Sequence, residues 1–171
     1  INTHMLEAAV QNKVKRFLFS SSACVYPNYK QTTSDVPGLK EEDAYPADPN
    51  EAYGWEKLFT EEMMKSYQID YGVDIRIARF HNIYGPEGTY KGGKEKAPAA
   101  LCRKVAEVSD PGEIAIWGDG KATRSFCYID DCVQGVLALM ESGYDKPINI
   151  GSDRLISVDG LADMIIDRSG K

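Results

Sequence analysis

The 171-residue sequence lacks several features that mark other classes of protein. No hydrophobic run approaches the roughly 18 residues of a membrane-spanning helix. Positive charge is not in excess: the formal net charge is −6 at pH 7, which argues against non-specific binding to nucleic acid or to an anionic membrane. We therefore expect neither a nucleic-acid partner nor a membrane partner.

Cysteine and histidine are scarce, and their spacing is not that of a metal site. The four cysteines and two histidines form no CxxC pair and no zinc-type pattern. Reduced thiols are the rule in the cytoplasm, and a reduced cysteine is usually a small buried side chain. We expect a cytoplasmic protein without a metal ion. The cysteines are Cys24, Cys102, Cys127 and Cys132.

Glycine is present, with 15 residues, but not in the patterns that hold phosphate groups. The G-x-G-x-x-G fingerprint of dinucleotide-binding turns occurs nowhere in the chain. The segment 118–122, GDGKA, lacks the Ser or Thr that follows the lysine of a Walker A loop. This sequence therefore contains neither of the two common Gly-rich phosphate loops.

The first half of the chain alternates apolar helices with apolar strands. We predict helices over 1–10 and 50–71, the second ended by Gly72, and strands over 14–19 and 73–80. Continuous apolar runs in the strands suit a parallel sheet that is covered on both faces. With a long ordered loop over 28–49, this order predicts a doubly wound, Rossmann-like α/β fold.

The second half contains shorter predicted elements around Gly-rich turns. We assign residues 1–83 to part of a Rossmann-like domain and most of 84–171 to a smaller mixed α/β lobe, with a strand and a helix returning to the first domain. The predicted elements are helices over 97–108, 130–141 and 158–167 and strands over 113–117, 124–128 and 147–150.

The most informative pair of residues is Tyr53 and Lys57, which lie four positions apart at the start of a predicted helix. They share one face of that helix, and a nearby cation favours the ionised form of a phenol. Such a tyrosine is suited to act as an acid and base at neutral pH. A surface tyrosine beside a solvated lysine is the alternative interpretation of the pair taken alone.

Other polar groups fall where a ligand would bind such a sheet. Open α/β sheets bind ligands at the carboxyl ends of their strands. The serines of segment 20–24 follow the first predicted strand, and His81 and Asn82 follow the second. Together with Tyr53 and Lys57, which lie between them in the chain, they predict a Ser/Tyr/Lys redox site.

These motifs resemble the extended short-chain dehydrogenase/reductase family, whose members act on nucleotide sugars. The matching segments are FLFSSSACVY at 17–26, the Tyr53/Lys57 pair, RFHNIYGP at 79–86, WGDG at 117–120, RSFCYIDD at 124–131 and NIG at 149–151. The resemblance implies an NAD cofactor bound in part by Tyr53 and Lys57, with Ser22 holding the reacting oxygen. It also implies a homodimer.

Family members begin with a Gly-rich βαβ unit and carry further substrate contacts near their carboxyl end. Neither is found in this sequence, so the resemblance implies a chain truncated at both ends. We expect the isolated 171-residue piece to be inactive.

Two residues narrow the resemblance within the family. Cys24 stands where many members have Ser or Thr, and Lys96 lies in the extra-basic segment KGGKEKAP at 91–98. The pair is similar to that of members which epimerise GDP-mannose at C5 and C3, to GDP-L-galactose and GDP-L-gulose. By this resemblance Cys24 is the base and Lys96 the acid.

Two alternatives remain open at this point. The enzyme could be a UDP-sugar 4-epimerase, dehydratase or decarboxylase in which Cys24 and Lys96 only line the pocket. A non-catalytic nucleotide-sugar-binding module is the second alternative. Either way, the resemblance implies one set of residues for substrate binding. They are Ser22, Ala23, Cys24, Asn82, Glu95, Lys96, Ala97, Lys104, Ala122, Thr123 and Arg124.

Overall fold

A parallel three-stranded sheet forms the centre of the first half of the molecule. The computed structural model describes residues 1–33 and 38–171. Strands β1 (Arg16–Ser22), β2 (Asp74–Phe80) and β6 (Pro147–Ile150) lie side by side in that order. In the register Ser22 lies beside Phe80, and Phe80 lies beside Ile150, so all three strands end at one edge of the sheet.

Three helices accompany this sheet: α1 (Asn2–Gln11), α2 (Ala52–Tyr71) and α4 (Ile129–Glu141). Gly72 ends α2 in the left-handed conformation, with a φ of 68°, as its position after the apolar pattern predicts. Apolar side chains of α1, α2 and the two longer strands form one buried cluster. Its fully buried members are Leu6, Phe19, Met64, Val73, Ile75 and Ile77. The predicted doubly wound α/β class is confirmed.

The second half contains smaller pairings. Strands β3 (Ile83–Tyr84) and β5 (Cys127–Tyr128) pair in parallel, and β4 (Thr123–Ser125) pairs antiparallel with β7 (Leu155–Ser157). Two helices belong to this half. They are α3 (Ala97–Glu107) and α5 (Val158–Ser169).

The chain divides into two compact units, and it crosses between them three times. Unit 1 comprises residues 1–81 and 130–150, and unit 2 comprises residues 82–129 and 151–171. Each unit is therefore assembled from two separate stretches of sequence. Within the described residues, no helix is both long and apolar enough to cross a membrane.

Some predicted elements differ from the observed ones. The predicted strand 113–117 is wrong: the segment is mostly apolar, but it pairs with no strand in the described part of the chain. The predicted strand 124–128 is divided into β4 and β5, and β3 and β7 were not predicted at all. The predicted loop 28–49 includes residues 34–37, which lie outside the described residues, and two short 3₁₀ turns, Asn28–Lys30 and Glu41–Ala44.

Candidate active site

Ser22 is the last residue of β1 and begins the turn that carries Cys24. Its backbone is extended, with φ −147° and ψ 152°, and its Oγ accepts a hydrogen bond of 3.2 Å from the backbone N–H of Cys24. That bond caps the 3₁₀ turn Ala23–Val25. Cys24 is exposed and in no disulfide. The strand end therefore presents a hydroxyl and a thiol two residues apart.

Tyr53 and Lys57 lie on the first turns of α2, as their spacing predicts. The Lys57 Nζ donates a 3.0 Å hydrogen bond to the backbone carbonyl of Ser20 on β1. It also lies 5.5 Å from the centre of the Tyr53 ring and 4.9 Å from that of Phe19. The Tyr53 side chain is about half exposed. Lys57 thus joins the tyrosine to the carboxyl end of β1.

Gly54 allows the start of α2 to contact the Cys24 turn, and sequence reasoning did not identify it. A Cβ atom on Gly54 would lie 2.1 Å from the Cys24 backbone oxygen and 2.8 Å from the Pro49 Cβ. Any other residue would push the helix away from the turn. The available signal was a glycine inside a helix, which costs about 1 kcal/mol relative to alanine and usually has a packing reason.

A buried ion pair lies directly behind these residues. Glu61, one turn after Lys57 on α2, accepts hydrogen bonds from Arg79 Nε at 3.0 Å and Nη2 at 2.6 Å. Its Oε1 also accepts a 2.5 Å bond from the hydroxyl of Ser21, the neighbour of Ser22. Glu61 and Arg79 are both essentially inaccessible to solvent. The pair fixes α2 relative to the ends of β1 and β2.

The other side of Arg79 joins a second set of buried polar groups. Arg79 Nη1 donates to the Tyr26 hydroxyl at 3.2 Å, and that hydroxyl donates to Asn149 Oδ1 at 2.6 Å. His81 Nε2 lies 2.8 Å from the same oxygen. Because Asn149 Nδ2 donates to the Leu39 carbonyl, Oδ1 is the acceptor, and we assign the proton of His81 to Nε2.

Burial changes the titration of two members of this network. It lowers the pKa of His81, because the charged imidazolium is disfavoured away from water. It raises the pKa of Tyr26, because the phenolate is disfavoured in the same way. Both residues are therefore neutral near pH 7. In the sequence, this network is indicated by Glu61 and Arg79, which are charged residues within otherwise apolar helix and strand patterns.

In unit 2, Asn82 adopts an unusual backbone conformation. Its φ is +43°, a left-handed value that asparagine tolerates better than most residues. Its Nδ2 donates a 2.9 Å bond to the Ser125 carbonyl, and its own carbonyl accepts from the Cys127 N–H at 3.3 Å. Asn82 is therefore tied to β4 and β5, next to Thr123 and Arg124.

Ala122, Thr123 and Arg124 lead into and form β4, where pairing with β7 fixes them. The Ala122 carbonyl accepts from the Val158 N–H at 3.1 Å, and Arg124 lies opposite Ile156 in the ladder. The Arg124 side chain is exposed, with Nη1 donating to the Thr123 carbonyl at 2.7 Å. An exposed guanidinium on a fixed strand is suited to bind an anion.

The remaining predicted residues lie around the start of α3. Lys96 is the N-cap residue of α3 and is exposed, and Ala97 is the first helical residue. Glu95 accepts a 2.7 Å bond from the Gly93 N–H, and bonds from backbone N–H groups, first its own, hold its pKa below the usual range. Lys104 Nζ donates to the Ala115 carbonyl, so its charge already has a protein partner.

The predicted residues thus form two groups, one in each unit. Unit 1 brings together Ser22, Ala23, Cys24, Tyr53 and Lys57. Unit 2 holds the other substrate-binding candidates, which are Asn82, Glu95, Lys96, Ala97, Lys104, Ala122, Thr123 and Arg124. Across residues 1–33 and 38–171, no group of three or more His, Cys, Asp or Glu side chains is arranged to hold a metal ion.

A parallel sheet with a serine at its carboxyl edge, together with a helix that carries a tyrosine and a lysine one turn apart, defines a protein of the short-chain dehydrogenase/reductase type. The chain belongs to the NAD dependent epimerase/dehydratase family, which residues 1–151 match. It is 54% identical over 166 residues to the GDP-mannose 3,5-epimerase of Arabidopsis thaliana, a match that covers 97% of this chain and 44% of that protein. The chain therefore spans less than half the length of this relative.

Solved structures agree with this family. The UDP-glucose 4-epimerase of Thermotoga maritima, solved with UDP-glucose, has a TM-score of 0.84 and 28% identity, covering 99% of this chain and 52% of that one. The UDP-glucuronic acid 4-epimerase of Bacillus cereus, solved with UDP-glucuronic acid and NAD, has a TM-score of 0.80 and 28% identity, covering 99% and 50%. The family resemblance predicted from the motifs is confirmed.

Proposed function

We propose that the whole protein is an NAD-dependent isomerase that converts GDP-D-mannose to GDP-L-galactose and GDP-L-gulose. One observation carries the proposal: Gly54 packs the Tyr53/Lys57 turn of α2 against the turn that presents Ser22 and Cys24. A redox tyrosine and an exposed thiol thus belong to one rigid arrangement in unit 1. The identity to a GDP-mannose 3,5-epimerase over 97% of the chain supports the choice of substrate.

The groups at the end of β1 fit an NAD cofactor. Tyr53 and Lys57 lie where parallel sheets bind ligands, and both offer polar hydrogen atoms to hydroxyl groups. A lysine ammonium has three N–H donors, and the bond to Ser20 uses one of them. We assign these two residues to the cofactor. When bound, NAD would supply a reversible oxidation of the sugar at C4.

Tyr53 and Ser22 act on the C4 oxygen in this proposal. The Tyr53 Oη accepts the proton of the C4 hydroxyl as that carbon is oxidised, and it returns a proton when the ketone is reduced again. The ammonium of Lys57 stabilises the phenolate that the first step requires. Ser22 Oγ donates a hydrogen bond that holds the oxygen. Because C4 is first oxidised and then reduced, the conversion as a whole would consume no cofactor.

Cys24 and Lys96 act on the ring carbons. A ketone at C4 makes the C–H bonds at C3 and C5 acidic, so a base can remove one of those protons. In our assignment the Cys24 thiolate takes the proton from one face of the ring, and the Lys96 ammonium returns a proton to the other face. The carbon is thereby inverted, with one proton removed and one added.

The other candidates bind the nucleotide sugar in this proposal. Arg124, with Ala122 and Thr123, would hold the diphosphate, which matches the exposed guanidinium on β4. Asn82, Glu95, Ala97 and Lys104 are assigned to the sugar or nucleotide. For Lys104 such a contact would require exchange of its bond to the Ala115 carbonyl.

The deciding experiment incubates the whole protein with GDP-mannose in D₂O and follows the sugar nucleotides by NMR. Deuterium at C5 and C3, with L-galactose and L-gulose products, is the expected result. Cys24→Ser and Lys96→Met should each abolish the label, while Lys94→Met, which removes a nearby charge in the same loop, should keep it. Unlabelled GDP-mannose with turnover of UDP-glucose would instead support a 4-epimerase, the activity named for a structural neighbour.

Three further parts of the proposal concern the whole protein. We propose that it is a homodimer in the cytoplasm, and that residues 1–171 alone are inactive. Sedimentation of the whole protein tests the dimer. NAD-dependent epimerisation by the isolated 171-residue chain would contradict its proposed inactivity.

A further inference from the structure

Arg103 on α3 is the centre of a polar cluster in unit 2. Its Nε donates a 2.9 Å hydrogen bond to the backbone carbonyl of Tyr90, and its Nη2 lies 3.5 Å from Glu95 Oε1. Its Nη1 donates at 2.9 Å to Glu107, one turn later on the same helix. The three nitrogens of one guanidinium therefore contact three separate partners, of which two lie in the loop before α3.

That loop, residues 85–96, is rich in glycine and mostly exposed. Gly92 and Gly93 have φ values of 98° and 82°, so the chain bends there through left-handed conformations that glycine adopts without steric cost. Such a segment has a large conformational entropy to lose when it is ordered. The loop therefore needs contacts from residues outside the Gly92–Gly93 bend to keep one conformation.

Glu95 connects Gly93 to Arg103. One carboxylate oxygen, Oε2, accepts from the Gly93 N–H at 2.7 Å, and the other, Oε1, pairs with Arg103. Both oxygens are thus engaged by the protein, and the side chain is 14% exposed. Lys96 follows directly and is the N-cap residue of α3. Lys96 therefore follows, in the chain, a residue whose two carboxylate oxygens are both held by the protein.

We propose that Arg103 is a positioning residue that holds loop 85–96 and so sets the place of the Lys96 ammonium. Its part in catalysis depends on the proposed function, in which Lys96 is the acid. A lysine at position 103 would not substitute, because a single ammonium cannot reach acceptors in the three directions of the guanidinium fork. Glu95 is the residue through which Arg103 is connected to the backbone of Gly93.

The experiment compares Arg103→Lys and Arg103→Met with Glu107→Gln in the whole protein. Glu107→Gln removes the negative charge of the Arg103 partner that lies outside the loop, so it is the matched control. Both Arg103 variants should lower kcat for epimerisation about 10- to 100-fold, as expected for a misplaced catalytic group, with little change in KM. Deuterium incorporation at C5 and C3 in D₂O should fall in parallel, whereas Glu107→Gln should match the wild type.

A second measurement does not depend on activity. Amide hydrogen exchange of residues 90–96 should be faster in Arg103→Met than in the wild type and unchanged in Glu107→Gln. Wild-type exchange rates in both Arg103 variants would overturn the proposal, and so would wild-type kcat. Faster loop exchange in a protein whose wild type shows no epimerisation would support the role of Arg103 in the loop, while overturning the proposed function.

Discussion

The backbone carbonyl oxygen of Cys24 lies 2.1 Å from the position that a Cβ atom on Gly54 would occupy. The first turn of α2 can therefore lie this close to the Cys24 turn only with glycine at position 54. Since Tyr53 precedes that glycine, the same contact sets the separation of the tyrosine from Cys24 and Ser22. Gly54, which has no side chain, thus controls the relative positions of the functional side chains of Tyr53, Cys24 and Ser22.

The first prediction concerns this contact. Gly54→Ala should destabilise the fold by about 1–3 kcal/mol, because the new methyl group overlaps backbone atoms that cannot rotate away. Urea unfolding measures the loss. Gly143→Ala is the control, since a Cβ at Gly143 meets nothing within 4 Å. Equal urea midpoints for Gly54→Ala and Gly143→Ala would show that the start of α2 can move without loss of free energy of unfolding.

The second prediction concerns the proton acceptor. Tyr53→Phe removes the Oη and should lower kcat about 10²- to 10⁴-fold, the usual contribution of a general acid or base. Folding should be unaffected because the side chain is half exposed. Tyr71→Phe, an exposed tyrosine at the other end of α2, should retain full activity. Full activity in Tyr53→Phe would remove the tyrosine from the mechanism.

The third prediction concerns the buried pair of Glu61 and Arg79. Glu61→Gln leaves the Arg79 guanidinium buried without a countercharge, so we expect a loss of about 3–5 kcal/mol in the free energy of unfolding. Glu62→Gln breaks an exposed pair with Lys65 and should cost less than about 1 kcal/mol. Urea unfolding of the whole protein distinguishes the two. Similar losses in both variants would contradict the proposed importance of burial.

The fourth prediction concerns pH. The folded pKa of His81 is below its unfolded value of about 6.5, so only the unfolded chain binds a proton just below that pH. Stability is therefore full above pH 6.5 and declines as pH falls towards the folded pKa. Urea midpoints at pH 7.5 and 5.5 should show this decline, and His81→Gln should reduce it.

His4→Gln serves as the control for the same pH series and should keep the decline. NMR of the imidazole provides an independent check, since the proton near pH 7 should reside on Nε2. A titration of His81 at or above pH 6.5 would contradict the prediction.

Local sequence patterns were sufficient for the longer elements. The start and stop signals that predicted a helix over 50–71 placed α2, Ala52–Tyr71, nearly to its ends, and Gly72 marked where it stops. The strand predicted over 113–117 failed because a run of apolar residues describes side chains only, whereas a strand also requires a neighbouring backbone to bond. The short strands β3 and β7 were missed because their pairing is decided by residues distant in the chain, β5 and β4, and not by a local pattern.

The sequence by itself determined the fold class, the family and the chemical groups at the end of β1, including the one-turn spacing of Tyr53 and Lys57. These depend on residues close in the chain, where helix and strand periodicity govern geometry. Only the tertiary structure decided that Gly54 meets the Cys24 carbonyl and that Glu61 pairs with Arg79. Those contacts join residues 18 or more positions apart, and no local periodicity encodes which distant backbone or charge will be brought within bonding distance.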